Sequence, residues 1–398
     1  MRSAIIIGAG PAGLTGARIL RNNGVRDVLV LERAAVAGGL PRHCGHPGFG
    51  FFDFRRVWTG PSYAKRLIEA ARGVEIMANA TVTRIEPQGR IEVATQAGIE
   101  KLEARAILIA TGIRETPRSA RLVSGARPWG VTTTGAFQDM VYIGAMRPFS
   151  RPVIVGTELV SFSAILTARH AGIRPAAMIE EGDRIVARRP LDVASRALFG
   201  VPVLTRTRLL RINGLDRVES VEIERDGMRS TLACDGVIFT GKFRPDAALV
   251  EASPIVFDDF TGGPAIDSAW RCSDPYYFAA GNVLRPVEHS GWVAAEGKSA
   301  AHSILTALAG GLPDIEAAIT LSVEGALRYA YPQRLLPNDG PITILARAAR
   351  AHKGVLRLSA RGETLAIRRI NALPERRLRL TFPGERLRGK QDAVITLD

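Results

Sequence analysis

A four-residue apolar run, Ala4–Ile7, ends directly in Gly8-Ala9-Gly10-Pro11-Ala12-Gly13 and passes into a helical pattern that closes at Asn22-Asn23-Gly24. No other stretch narrows the choice of fold so far. In a G-x-G-x-x-G turn the first glycine allows the sharp bend, the second lets backbone approach a pyrophosphate, and the third lets helix pack on strand. The helix start then offers free N–H groups to the phosphate. A second buried strand, VLVL at 28–31, runs into Glu32, nineteen residues beyond Gly13. A carboxylate there can accept both hydroxyls of an adenosine ribose. Strand, turn, helix, strand and acid together predict a right-handed βαβ unit that holds a dinucleotide, without saying which one.

The rest of the chain repeats this grammar. A βαβ-like segment starts at Pro152 with VIVGTELVSFSAILTARHAG and ends in CDGVIFTG near Gly241. YYFAAGNVLRP at 276–286 reads as a buried strand entering a loop, followed by a helix from Gly291 to Gly310. Beyond Tyr331 the pattern alternates with period two, as strands do. The 398 residues are enough for two or three domains with their own cores. Three scattered cysteines, Cys44, Cys234 and Cys272, suit neither a disulfide framework nor an iron–sulfur cluster. No signal-peptide pattern and no membrane-length apolar run are seen, so a cytoplasmic setting without a transmembrane segment is expected. The net charge is +14, and residues 347–390 carry thirteen Lys/Arg against three acids. No nucleic-acid module accompanies that excess, so a solvated basic face or a dock for an acidic partner is expected, and nucleic acid is not.

GAGPAG, Glu32, Gly38-Gly39, ILIATGIRETP at 107–117, VIFTG at 237–241 and FAAGN at 278–282 stand in an order that resembles the pyridine-nucleotide-disulfide oxidoreductase superfamily over roughly the first 310 residues. The resemblance implies an α/β architecture of two doubly wound, Rossmann-like nucleotide-binding domains, the first split by the second, plus a small β-rich C-terminal domain. The expected divisions are 1–115 with 245–330, then 116–244, then 331–398. It implies FAD in the first site, held by Gly8, Gly10, Pro11, Ala12, Gly13, Glu32, Arg33, Gly39, Ala110, Thr111, Gly112, Gly281 and Asn282. Asn282 stands where the superfamily usually has Asp, and an amide can still bond a ribitol hydroxyl or phosphate oxygen. GGLPRHCGHPGFG, TGPSYAKRL and GNVLRPVEHSGW with EGKSAA are similar to one branch: the flavin subunits of opine oxidase, cyanide synthase and hydroxyproline dehydrogenase, and companions of anaerobic glycerol-3-phosphate dehydrogenase. That implies a flavin subunit relaying electrons to an acceptor from a partner flavoprotein or iron–sulfur subunit, with an amino-acid-like or polyol substrate.

Two features bear on rival readings. The second glycine turn reads Gly156-Thr157-Glu158-Leu159-Val160-Ser161, so Glu158 places bulk and like charge where a pyrophosphate would approach, which disfavours NAD(P)H. Glu180 and Glu181 are the candidate ribose acids after the next strand. Cys44 has no second cysteine nearby. As a lone catalytic thiol activated by His43 and His46 it would support a stand-alone NAD(P)H-dependent reductase of disulfides, peroxides or quinones. As a buried small residue it would not. His43, Cys44 and His46 are too few and too cramped for zinc, so no metal is expected. His289, before the last long helix, is the other catalytic candidate, a proton donor beside the reduced flavin, with Trp292 a possible stacking partner. A non-catalytic FAD scaffold is the third reading.

Overall fold

The computed structural model describes residues 1–187 and 191–398. Its first sheet is parallel throughout, in the order Tyr277–Ala279, Ile107–Ile109, Ala4–Ile7, Val28–Leu31, Glu75–Met77. Every residue of the strands Ala4–Ile7, Val28–Leu31 and Ile107–Ile109 is buried. Continuous apolar runs rather than alternation are what a sheet covered on both faces requires. One face is covered by the helices Pro11–Asn22 and Ser290–Leu308, the other by the antiparallel meander Thr81–Glu86, Arg90–Thr95 and Gly98–Glu103. The two helices touch backbone to backbone: a Cβ added at Gly297 would lie 2.1 Å from the Ala12 carbonyl oxygen. The first and last elements of the unit are thus locked together across the glycine turn.

A second parallel sheet runs Val131–Thr133, Gly236–Phe239, Pro152–Val155, Ala177–Ile179, Val203–Leu204. The chain crosses between the two sheets along an antiparallel pair, Ile113–Glu115 with Phe243–Pro245. The first sheet is therefore interrupted in sequence after Ile109 and completed only at Tyr277–Ala279.

The C-terminal β region begins earlier than its alternation suggests. Strands Ile319–Gly325 and Leu327–Tyr331 already belong to it, the former pairing in parallel with Asp392–Leu397 at the far end of the chain. A five-stranded and a three-stranded sheet share one core built around Leu335, Leu356, Leu358, Leu387 and Ile395. Among the described residues no helix is long and apolar enough to cross a membrane.

Candidate functional site

At the first glycine turn the fold leaves a gap of a particular shape. Gly8 has φ +106°, and a Cβ on it would lie 2.5 Å from the Ala110 carbonyl oxygen; a Cβ on Gly13 would lie 1.9 Å from the Gly8 carbonyl oxygen. Both positions are sealed by backbone. Gly10 is open: its added Cβ would meet nothing nearer than the Gly39 Cα at 3.9 Å. The helix that starts at Pro11 has no side-chain cap on its first turn. Uncapped N–H groups at a helix start beside an open glycine form an anion cradle.

From this turn a cavity of about 1090 Å³ runs between the two nucleotide folds. Of the cofactor residues expected from sequence, Gly8, Gly10, Pro11, Ala12, Glu32, Arg33, Gly39, Ala110, Thr111, Gly112 and Asn282 line it; Gly13 and Gly281 lie behind its wall. Glu32 is buried at the end of its strand. One carboxylate oxygen accepts from the Ala9 N–H and the other from the Ala34 N–H, both at 2.9 Å. That fixes the carboxylate in the cavity wall while leaving lone pairs for hydroxyl donors. Residues that spacing alone does not reveal complete the rim. Arg33 and Arg114 both pair with Asp246, at 3.1 and 2.9 Å, and the Thr111 hydroxyl donates to the Asp246 carbonyl at 2.7 Å. Asp246 arrives with the returning chain, so no local pattern announces it.

Other candidates take roles different from those expected. The Asn282 amide is used within its own loop: its carbonyl accepts from the Glu288 N–H at 2.8 Å and its NH₂ donates to the Glu288 carbonyl at 3.2 Å. It closes the loop 282–288 rather than extending to a ribitol or phosphate. His289 caps the helix Ser290–Leu308, with Nδ1 accepting from the Gly291 N–H at 3.2 Å and Nε2 2.9 Å from the Gly48 carbonyl. With both nitrogens engaged and the ring outside the cavity wall, it is not placed as a proton donor to the cavity. Trp292 stacks with Arg377 at 4.1 Å and against Phe52, away from the cavity lining.

Cys44 does reach the cavity, yet its thiol is pushed up to about 12 by burial and, next, by the charge of Glu115. Its Sγ donates weakly to the Leu40 carbonyl at 3.4 Å and to Gln138 Oε1 at 3.5 Å. The flanking histidines cannot supply the positive charge expected of them, because burial holds both His43 and His46 below their ordinary range. The thiolate is the reactive form, and burial at this interdomain contact disfavours it. Among the described residues no cluster of His, Cys, Asp or Glu could hold a metal ion.

The second glycine turn is filled by its own chain. A Cβ on Gly156 would lie 2.5 Å from Glu158 Oε2, and one on Gly241 2.2 Å from Glu158 Oε1. The Glu158 carboxylate accepts from Thr240 Oγ1 at 3.0 Å and Ser161 Oγ at 3.2 Å, and burial holds it above the ordinary carboxyl range. Arg121 closes the same space, donating to the Thr240 and Gly241 carbonyls at 2.8 and 2.9 Å. Glu180 does sit after the next strand, but its carboxylate accepts from the Thr157 hydroxyl and the Gly182 N–H.

A doubly wound sheet, an open glycine turn with a facing acid, and a long cavity to a second, completing strand define a dinucleotide-binding protein. The family model of pyridine nucleotide-disulphide oxidoreductases matches residues 2–306, and the chain belongs to that family. It is an FAD-dependent oxidoreductase, and FAD fits the first site: Gly10 and the helix start would take the pyrophosphate, Glu32 the ribose, and Ala280 and Asn282 would bound the flavin end. When bound, the flavin supplies the electron-transfer chemistry. An opine oxidase subunit of Rhizobium meliloti is 31% identical over 44% of this chain and 38% of its own length. The alpha subunit of sarcosine oxidase from the same organism is 25% identical over 84% of this chain and 33% of its own. The chain thus spans about a third of the length of these two relatives. A ferredoxin–NADP reductase of Picrophilus torridus is 25% identical over 70% of this chain and 84% of its own length. Among solved structures, T. acidophilum thioredoxin reductase shares the fold with a TM-score of 0.66 at 22% identity, covering 77% of this chain and 98% of its own. An NAD-dependent persulfide reductase from A. fulgidus covers 98% of this chain and 72% of its own, with a TM-score of 0.62 at 16% identity.

Proposed function

We propose that this chain is the electron-relaying flavin subunit of a multi-subunit dehydrogenase, oxidising an amino-acid-like substrate together with a partner, and that NAD(P)H does not reduce it directly. The observation that carries the reading is Glu158. Its carboxylate lies over Gly156 and Gly241, in the space a second pyrophosphate would need, and it adds like charge there. Like charges brought together without solvent cost several kcal/mol, which is enough to abolish useful nucleotide affinity. With the Cys44 thiol protonated and no second cysteine beside it, the chain also lacks the means to pass electrons to a disulfide. The flavin must then exchange electrons with something outside the chain. The names of two relatives, subunits of an opine oxidase and of a sarcosine oxidase, support a multi-subunit assembly and a substrate of amino-acid character.

The test is an anaerobic titration of the FAD-loaded protein with NADH and NADPH, following flavin absorbance. The wild-type flavin is expected to stay oxidised with either nucleotide while dithionite reduces it. Glu158→Ala should then raise the rate of nucleotide-driven bleaching at least about tenfold. Fast bleaching of the unmodified protein overturns the reading and places the chain with NAD(P)H-dependent reductases.

A further inference from the structure

Behind the flavin end of the cavity lies a buried ion pair to which the cofactor motifs assign nothing. Arg285 is fully buried, and its guanidinium pairs with Glu296, itself 6% exposed, on the helix Ser290–Leu308. Between them they take both polar groups of Gly281 in the flavin loop. Arg285 Nη1 donates to the Gly281 carbonyl at 2.7 Å, while Glu296 Oε2 accepts from the Gly281 N–H at 3.2 Å. Gly281 has φ +83°, and its neighbours on either side, Ala280 and Asn282, line the cavity. The same guanidinium reaches Asn282 Oδ1 at 3.4 Å.

The pair is held from the other side by the C-terminal β region. The Tyr331 hydroxyl donates to Glu296 Oε1 at 3.3 Å, and the Tyr331 ring lies 5.0 Å from the Arg285 guanidinium carbon. Tyr329, on the same strand, donates to the Pro286 carbonyl at 3.0 Å.

We propose that Arg285 and Glu296 are positioning residues for the cofactor, setting the orientation of the Gly281 backbone that places Ala280 and Asn282, and that Tyr331 makes the C-terminal β region part of the FAD site. A largely buried ion pair is a weak device for stability, since desolvation offsets most of the attraction. It is a strong device for fixing geometry, because its bonds can form in few arrangements. Here both Nη atoms of Arg285 and both oxygens of Glu296 are engaged, Arg285 Nε alone being without a partner, and the bonds to Gly281 fix the flavin loop. The groups facing Glu296 are Arg285 and Glu288 from the loop, Tyr331 from the β region, and the Gly281 N–H. Burial, the largest effect, pushes its carboxyl up to about 6 against the pull of Arg285. Protonation of Glu296 in mild acid therefore leaves Glu288 as the remaining acid facing the Arg285 charge behind the flavin.

The experiment uses the FAD-loaded full chain. The flavin midpoint potential is measured by spectroelectrochemistry from about pH 5 to about pH 8, and FAD affinity by the fluorescence of released flavin. Wild type should show a bend in potential against pH near 6. Glu296→Gln should remove the bend and weaken FAD at least about tenfold, the scale of a lost charge-assisted bond. Tyr331→Phe, which deletes one hydroxyl, should keep the fold, displace the bend and weaken FAD about threefold to tenfold. If Glu296→Gln does not fold, the Tyr331→Phe result decides alone. Unchanged affinity and an unchanged potential curve overturn the proposal, and so does a lowered melting temperature with both curves unmoved. None of these outcomes depends on whether NAD(P)H or a partner protein is the electron source.

Discussion

Two glycines of one turn separate folding from binding at the residue scale. A methyl group on Gly13 collides with backbone at 1.9 Å, whereas a methyl group on Gly10 meets only open space out to 3.9 Å. Gly13→Ala should therefore destabilise even the apoprotein, by about 1–3 kcal/mol as overpacking does, and lower its melting temperature. Gly10→Ala should leave the apoprotein melting temperature unchanged and abolish FAD binding in a fluorescence titration. An apoprotein destabilised by Gly10→Ala would show that the open face above the turn is not there for a ligand. Cys44 gives the second test at this scale. With its thiol near 12, iodoacetamide at about pH 8 should leave it unlabelled in the native protein and label it once the chain is denatured, as read by mass spectrometry. Cys44→Ser should retain flavin reduction by dithionite and reoxidation at wild-type rates. Gly10 and Cys44 are legible in the sequence as candidates, because motif and position are local. The direction of the thiol's shift is not, since it depends first on burial and then on Glu115, both supplied by the fold.

Among elements, the helices Pro11–Asn22 and Ser290–Leu308 are far apart in sequence and in backbone contact in space. Gly297 permits this, since its added Cβ would lie 2.1 Å from the Ala12 carbonyl oxygen and 2.7 Å from the Ala12 Cα. Gly297→Val should push the last helix outward, carry Glu296 and the flavin loop with it, and destabilise the protein by about 1–3 kcal/mol or more. The urea midpoint and the FAD content of the purified protein would both fall; an unchanged FAD content would mean that the loop is held independently of the helix. The helix itself is legible in sequence from its spacing of small apolar residues, and the buried strands from their unbroken apolar runs. The strand Ile319–Gly325 is not, because it is recruited by parallel pairing with Asp392–Leu397 and its register is set by residues some seventy positions away. Glu158 is legible as an intrusion in a glycine pattern; that Arg121 and Thr240 close around it is not, since neither belongs to that pattern.

For the whole molecule, the basic excess of residues 347–390 is partly used within the chain. Arg377 lies over Trp292. Arg347 pairs with Glu288 of the flavin loop at 2.9 Å and donates to the Val287 carbonyl at 3.1 Å. Arg368 and Arg369, on the edge strand Glu363–Ala372, remain exposed, where positive charge guards an edge against unwanted strand pairing and leaves a face for an acidic partner. The Arg347–Glu288 pair is the one whose loss should be felt at a distance. Its side chains are 11% and 10% exposed, so removing Glu288 strands the largely buried Arg347 charge, at a cost of about 3–5 kcal/mol, whereas removing Arg347 leaves Glu288 with Arg377 at 3.9 Å. Glu288→Ala should be strongly destabilising and Arg347→Ala less so. The double variant should recover part of the loss, with a coupling of about 1–3 kcal/mol in a urea-unfolding cycle. The Glu288 main chain holds the Asn282 side chain, so a shift of residue 288 once its side chain loses Arg347 should lower FAD affinity as well as stability. Additive effects with unchanged FAD affinity would show that the β region folds beside the cofactor domain without bearing on it. Coupling in both measurements would make the C-terminal region a working part of the flavoprotein, able to convey to the cofactor whatever binds its exposed basic face.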